Sequence, residues 1–174
     1  MSRKLHIGGR QVAPGWEIFN IVDAPGVDHL GDARDLSRFP AFEFSAVYAS
    51  HIFEHIDYQY EMQRTINEWS RVLEPGGTLY ISVPDMDVLC RLFVKKDLTT
   101  DERFHIMRMM FGGHMDEYDF HLAGLNFELL SHFLQRGGLG HISRVEEFGL
   151  FDDDSTFKFK GVPISLNVIA HKPA

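Results

Sequence analysis

The stretch that most constrains this sequence runs from Ala46 to Val83, where it spells a strand, a helix and a second strand in succession. Ala46-Val47-Tyr48-Ala49 is a short apolar run that closes at Ser50-His51. Tyr58 to Leu73 then carries Met62, Ile66, Trp69 and Leu73 on one helical face. Glu74-Pro75-Gly76-Gly77 stops that helix, because proline cannot continue the hydrogen-bond ladder and glycine supplies turn geometry. Thr78 to Val83 is β-branched and apolar, a strand again. Strand, helix and strand in this order make a parallel pair with a crossover helix, so the expected fold class is α/β.

The flanks extend the pattern. Leu5-His6-Ile7 reads as a strand ending in Gly8-Gly9, Glu17 to Val22 as a second ending at Asp23, and Val27 to Leu30 as a third ending at Gly31-Asp32. Beyond Val83, three helices are expected at Asp87 to Val94, Asp101 to Phe111 and Asn126 to Arg136. Asn126 is a natural N-cap, and Gly112-Gly113 and Gly137-Gly138 are stops. The tail reads as two strands, about His141 to Phe148 and Pro163 to His171. The loop between them holds Asp152-Asp153-Asp154, read as a solvated acidic run, amid Phe148, Phe151, Phe157 and Phe159, read as core.

Composition narrows the partners. The chain has 174 residues, which suits one domain (1–174) with a helical insert at 85–127. Its net charge of -8 disfavours a phosphate backbone, so no nucleic-acid partner is expected. No apolar stretch approaches the length of a membrane span, and no membrane partner is expected. The start, Met1-Ser2-Arg3-Lys4, lacks a signal-peptide pattern, and the single cysteine, Cys90, fits a reducing compartment. The expected location is cytoplasmic.

From Val47 to Asp85 the letters become specific: Val-Tyr-Ala-Ser-His-Ile-Phe-Glu-His-Ile, and later Arg71-Val72-Leu73-Glu74-Pro75-Gly76-Gly77-Thr78-Leu79. This resembles the class I, Rossmann-like S-adenosylmethionine-dependent methyltransferases. Their fourth strand leads into an apolar-x-x-Glu-His run, and their next helix closes on Arg-Val-Leu-x-Pro-Gly-Gly. The resemblance implies a mostly parallel central sheet with helices on both faces and an antiparallel C-terminal strand. It implies S-adenosylmethionine as cofactor and S-adenosylhomocysteine as product. By position it assigns Gly8 and Gly9 to the glycine-rich turn, Asp23 to the ribose, Asp32 and Ala33 to the adenine, and Ser50, His51 and Glu54 to the cofactor edge. His55, His114 and His121 are the candidate bases, and the acceptor would be a small-molecule or glycan hydroxyl or amine. The segment from His121 through Gly124-Leu125 to Leu129-Leu130 is similar to a subset found beside bacterial sugar-modifying enzymes.

One departure stands out. Only Arg10 to Gly15 separates Gly9 from Trp16, too few residues for a crossover helix, so the helix after the first strand is expected to be missing. That absence keeps open a non-catalytic binding or assembly module of the same fold. A nicotinamide-binding Rossmann domain also stays open, although G-x-G-x-x-G is incomplete. So does a zinc hydrolase, since His51-Ile52-Phe53-Glu54-His55 spells H-x-x-E-H. The first histidine falls at a strand end, where the two imidazoles would not share a helical turn, so no metal ligands are assigned. The oligomeric state is left open, with a homodimer among the options.

Overall fold

The computed structural model describes residues 2–174. Strands β1 (Arg3–Ile7), β2 (Trp16–Asn20), β3 (His29–Leu30), β4 (Phe44–Ser50), β5 (Leu73–Pro84), β6 (Gly140–Val145) and β9 (Ser165–His171) form one sheet in the order β3-β2-β1-β4-β5-β9-β6. All pairs from β3 to β5 are parallel, and β9 runs antiparallel between β5 and β6. This is the expected Rossmann-like methyltransferase sheet with its antiparallel C-terminal strand. A small hairpin, β7 (Lys158–Phe159) with β8 (Val162–Pro163), stands apart. The helices are α1 (Met62–Val72), α2 (Met86–Phe93), α3 (Thr100–Phe111) and α4 (Phe127–Arg136).

Alternation along the strands decides what the sheet buries. Leu5, Ile7, Val47, Ala49, Leu79, Ile81, Val83, Leu166, Val168 and Ala170 all point to one face, where α1 adds Met62, Ile66 and Trp69 and α4 adds Leu130 and Leu134. Each fully buried Leu, Ile, Val or Met side chain here is worth about 1.5–3 kcal/mol. Among the described residues α1 and α4 share this cluster. The opposite face carries His6, Tyr48, Ser82 and Asn167, all buried, and is covered by 146–157. Phe151 and Phe148 lie 4.7 and 5.5 Å from the Tyr48 ring. Asn167 Nδ2 donates to the Glu146 and Ser155 carbonyls and its Oδ1 accepts from Ser82 Oγ. A second apolar cluster joins α2, α3 and the β7–β8 hairpin through Leu89, Leu92, Ile106 and Ile164.

Several boundaries shift for local reasons. Helix α1 begins at Met62 rather than Tyr58, because the Asp57 carboxylate accepts the amides of Gln59 and Tyr60 and holds them in a turn. Strand β2 stops at Asn20 because its side-chain oxygen accepts the Val22 amide. Strand β5 begins at Leu73, makes an excursion through Pro75-Gly76-Gly77, where Gly76 has φ +80°, and resumes pairing at Thr78. Lys172 Nζ caps the end of α1 by donating to the Ser70 and Leu73 carbonyls. Thr99 and Glu102 form a reciprocal capping box that starts α3, and Asn126 caps α4 as expected. None of residues 8–15, between β1 and β2, is helical.

Candidate functional site

Open parallel sheets bind ligands beyond the carboxyl ends of their strands. A cavity of about 990 Å³ lies there, within the range of small-molecule sites. Its floor is made by the turns after β1 (Gly8, Gly9) and β3 (Asp32, Ala33) and by the end of β4 with the residue that follows (Ser50, His51). Its rims are two later segments, 116–122 after α3 and 151–154 before β7.

The floor is held by contacts that depend on residue type. Gly8 has φ +73° and donates its N–H to the Phe19 carbonyl; a Cβ there would collide with the Ile52 side chain. Asn20 Nδ2 donates to the Gly9 carbonyl at 2.9 Å, tying the turn after β1 to the end of β2. Trp69, fully buried in α1, donates Nε1–H to the Ala33 carbonyl at 2.8 Å and so anchors the turn after β3. The guanidinium of Arg34 grips Asp32 at 2.6 Å and Glu61 at 2.9 Å, and holds the Asp32 carboxyl below the usual carboxylate range. Ser50 Oγ is buried with no hydrogen-bond partner.

Four titratable side chains gather between the turn after β4 and the rim. Glu54 sits in a short 3-10 turn, Phe53–His55, and is fully buried beneath the wall. Its Oε1 lies 3.3 Å from His51 Nδ1, 3.9 Å from His55 Nε2 and 4.0 Å from His121 Nε2, yet neither oxygen makes a hydrogen bond of good geometry. His51, at φ +53°, points its other nitrogen at Ser165 Oγ, 3.0 Å away. Burial alone would push the Glu54 carboxyl up, but the contact with His51 and the charges of His51, His55 and His121 overcome it and hold the carboxyl low. Burial likewise opposes a charged His51, and Glu54, with Asp154 and Asp153 behind it, raises that imidazole. Burial dominates at His121 and lowers it, despite the pull of Glu54.

Of the residues expected at the site, Gly8, Gly9, Asp32, Ala33, Ser50, His51, His55 and His121 wall the cavity. Glu54 lies behind the wall. Two are not brought there. Asp23 is exposed, three residues beyond the end of β2, and Asn20 occupies the strand end instead. His114 donates Nε2–H to the Phe111 carbonyl and stacks on Phe120, off the cavity wall. Sequence reasoning missed Asn20, and it took the acidic run for a free loop. In the structure Asp153 accepts from the Tyr48 hydroxyl at 2.7 Å, and 151–154 form a rim.

The wall carries Asp32, three acids from 116–119 and three from 152–154, against Arg10 and Arg34. Such a field favours a cationic ligand and opposes a pyrophosphate. For S-adenosylmethionine the residues fit in part. The glycine turn, the Asp32-Ala33 turn, the orphaned Ser50 hydroxyl and the negative wall suit a nucleoside bearing a sulfonium. The carboxylate expected for the ribose is absent from the end of β2.

A family described as methyltransferase domain matches residues 20–81 of this chain. No match is found among curated proteins. Among solved structures, a SAM-dependent methyltransferase of Archaeoglobus fulgidus aligns at TM-score 0.62 and 14% identity, covering 98% of this chain and 86% of that one. A SAM-dependent methyltransferase of Thermotoga maritima aligns at 0.61 and 13%, covering 99% and 82%. The CurJ carbon methyltransferase aligns at 0.59 and 15% over 99% of this chain, which spans only 49% of its length. The chain spans 62% of a Bordetella parapertussis protein that it also matches. At these identities the likeness shows the fold. The matched family segment supports the expectation of an S-adenosylmethionine-dependent methyltransferase. No helix of the described residues is long and apolar enough to cross a membrane.

Proposed function

We propose that this chain is an S-adenosylmethionine-dependent methyltransferase acting on a hydroxyl or amine of a small molecule or glycan. The observation that carries the reading is the acid-walled cavity at the carboxyl ends of β1 to β4, floored by the turns at Gly8-Gly9 and Asp32-Ala33. When bound, the cofactor supplies an electrophilic methyl group on a positively charged sulfur. Asp32 would accept from the adenine amine, Ser50 Oγ would gain the partner it lacks, and the acidic rims would favour the sulfonium. The same rims count against a nicotinamide dinucleotide, whose pyrophosphate they would repel.

The insert at 85–127 supplies the rim 116–122 and would shape the acceptor pocket. Most of the chain's work would be alignment of the acceptor with the methyl group. A hydroxyl acceptor also needs somewhere for its proton to go. His55 and His121 are the candidate bases that face the cavity, and burial keeps His121 neutral and able to accept. His114, off the wall, is set aside.

A second reading rests on the helix-free connection between β1 and β2. A helix N-terminus there would offer free amides to a ligand. Without it, the fold would serve as a binding or assembly module. Calorimetric titration with S-adenosylmethionine and S-adenosylhomocysteine separates the two. Micromolar binding, at least tenfold tighter for the charged cofactor than for its neutral thioether and weakened by Asp32→Asn, supports the enzyme. No heat at millimolar cofactor overturns it in favour of the module.

A further inference from the structure

We infer that Glu54, His55 and His121 form a binding site for a divalent first-row transition-metal ion, with His51 as the residue that positions the carboxylate. One atom from each of the three ligands lies within 4.8 Å of the others. Ligand atoms around a tetrahedral zinc ion stand about 3.4 Å apart, so the observed 3.9 and 4.0 Å from Glu54 Oε1 to the two imidazoles need to close by only about half an ångström.

Three features mark the cluster as built. First, Glu54 is 1% exposed and both its oxygens lack a well-formed hydrogen bond. A buried carboxylate left in that state is costly, and a cation between it and the imidazoles would satisfy it. Second, the ring of His55 is oriented. A carbonyl can only accept, so His55 Nδ1 donates its proton to the Phe120 carbonyl at 3.1 Å. That leaves the lone pair on Nε2, the atom that faces Glu54, the arrangement by which metal-bound histidines are fixed from behind. Third, His121 comes from sixty-odd residues away but is held in place, because the Leu122 and Ala123 amides both donate to the Glu54 carbonyl. The His55 and His121 rings meet edge to face, 4.8 Å apart.

The donor set is two imidazoles and one carboxylate. Imidazole selects zinc, iron, cobalt or copper over magnesium and calcium, which prefer oxygen. Three protein ligands leave coordination positions open, as in catalytic sites. His55 and His121 wall the cavity, so those positions face it. On the methyltransferase reading, an acceptor oxygen would bind there and release its proton more easily. In that case the two histidines hold the ion and are not themselves the base. Binding of the ion does not depend on that reading; its role does.

The test uses the full chain stripped with chelator. Zn2+ is titrated against a chromophoric competitor, and Co2+ is followed by its ligand-field absorption. The expected result is one ion per chain. His55→Ala and His121→Ala should each weaken binding by at least tenfold, as should Glu54→Gln, which preserves shape. His114→Ala, outside the cluster, should leave binding unchanged. Circular dichroism confirms that each variant is folded. Absence of stoichiometric binding, or binding indifferent to both histidine variants, overturns the inference and leaves the three imidazoles as polar neighbours of a buried glutamate. Cofactor calorimetry on the same preparation separates failure of the metal site from failure of the methyltransferase reading.

Discussion

His6 couples the stability of this fold to pH. It is 5% exposed, with Phe151 at 4.0 Å, Tyr48 at 4.9 Å and Trp16 at 6.5 Å, and its Nδ1 has no hydrogen-bond partner. Burial pushes its imidazole down to about 4, against a weaker upward pull from Asp153. The group is therefore neutral in the folded chain and takes up a proton on unfolding once the pH falls below 6.5. Its stabilising effect is complete above that value and lost as pH falls from 6.5 towards 4. A shift of about 2.5 pH units corresponds to about 3 kcal/mol. His6→Phe keeps an aromatic ring in the cluster and deletes the titration. Urea unfolding of parent and variant, measured at several pH values from about 7 to about 4, isolates the effect. Any packing cost of the larger ring offsets the curve equally at every pH and does not alter its slope. The parent should lose about 3 kcal/mol more than the variant over this range. Parallel curves would refute the assignment of a neutral, desolvated His6.

Two further outcomes follow from single contacts. Tyr48→Phe deletes the hydrogen bond to Asp153 and should cost about 1 kcal/mol. Hydrogen exchange should speed up in 151–155 and stay unchanged in α4. Asp85, 1% exposed, accepts the Asp87 and Val88 amides at the start of α2 and the Arg144 guanidinium at 2.6 Å. Asp85→Ala should cost about 2 kcal/mol, a fall in melting temperature of about 6 °C, with Asp85→Asn recovering part of it.

The central strand, helix and strand were legible because their signals are local. Met62, Ile66 and Trp69 share a face by spacing alone, and the proline and glycines after Glu74 turn the chain wherever they stand. Arg71, conspicuous in the sequence, proves to hold the Leu36 and Phe39 carbonyls, a role no spacing announces. The candidate site was half legible. Gly8 and Asp32 follow strands and Ser50 ends one, and strand ends are readable. Asp23 misled because the Asn20 side chain ends β2 early by accepting the Val22 amide. His121 gave no sign of its meeting with Glu54, since that contact is made by backbone hydrogen bonds across a long loop. The acidic run looked solvated because nothing local reveals that Tyr48 reaches Asp153.

The lid of the helix-poor face comes from the last third of the chain. Tyr48 reaches Asp153 across 105 residues, and Gln11 reaches Asp152 across 141. The five parallel strands are complete by Pro84, but the cavity has neither of its rims at that point. As the chain leaves the ribosome, the parallel part of its sheet is therefore complete in sequence before either rim of the cavity is made. Competence to bind arrives late, when the C-terminal strands dock and draw 151–154 over the sheet, a closure that carries the entropic cost of a very long loop.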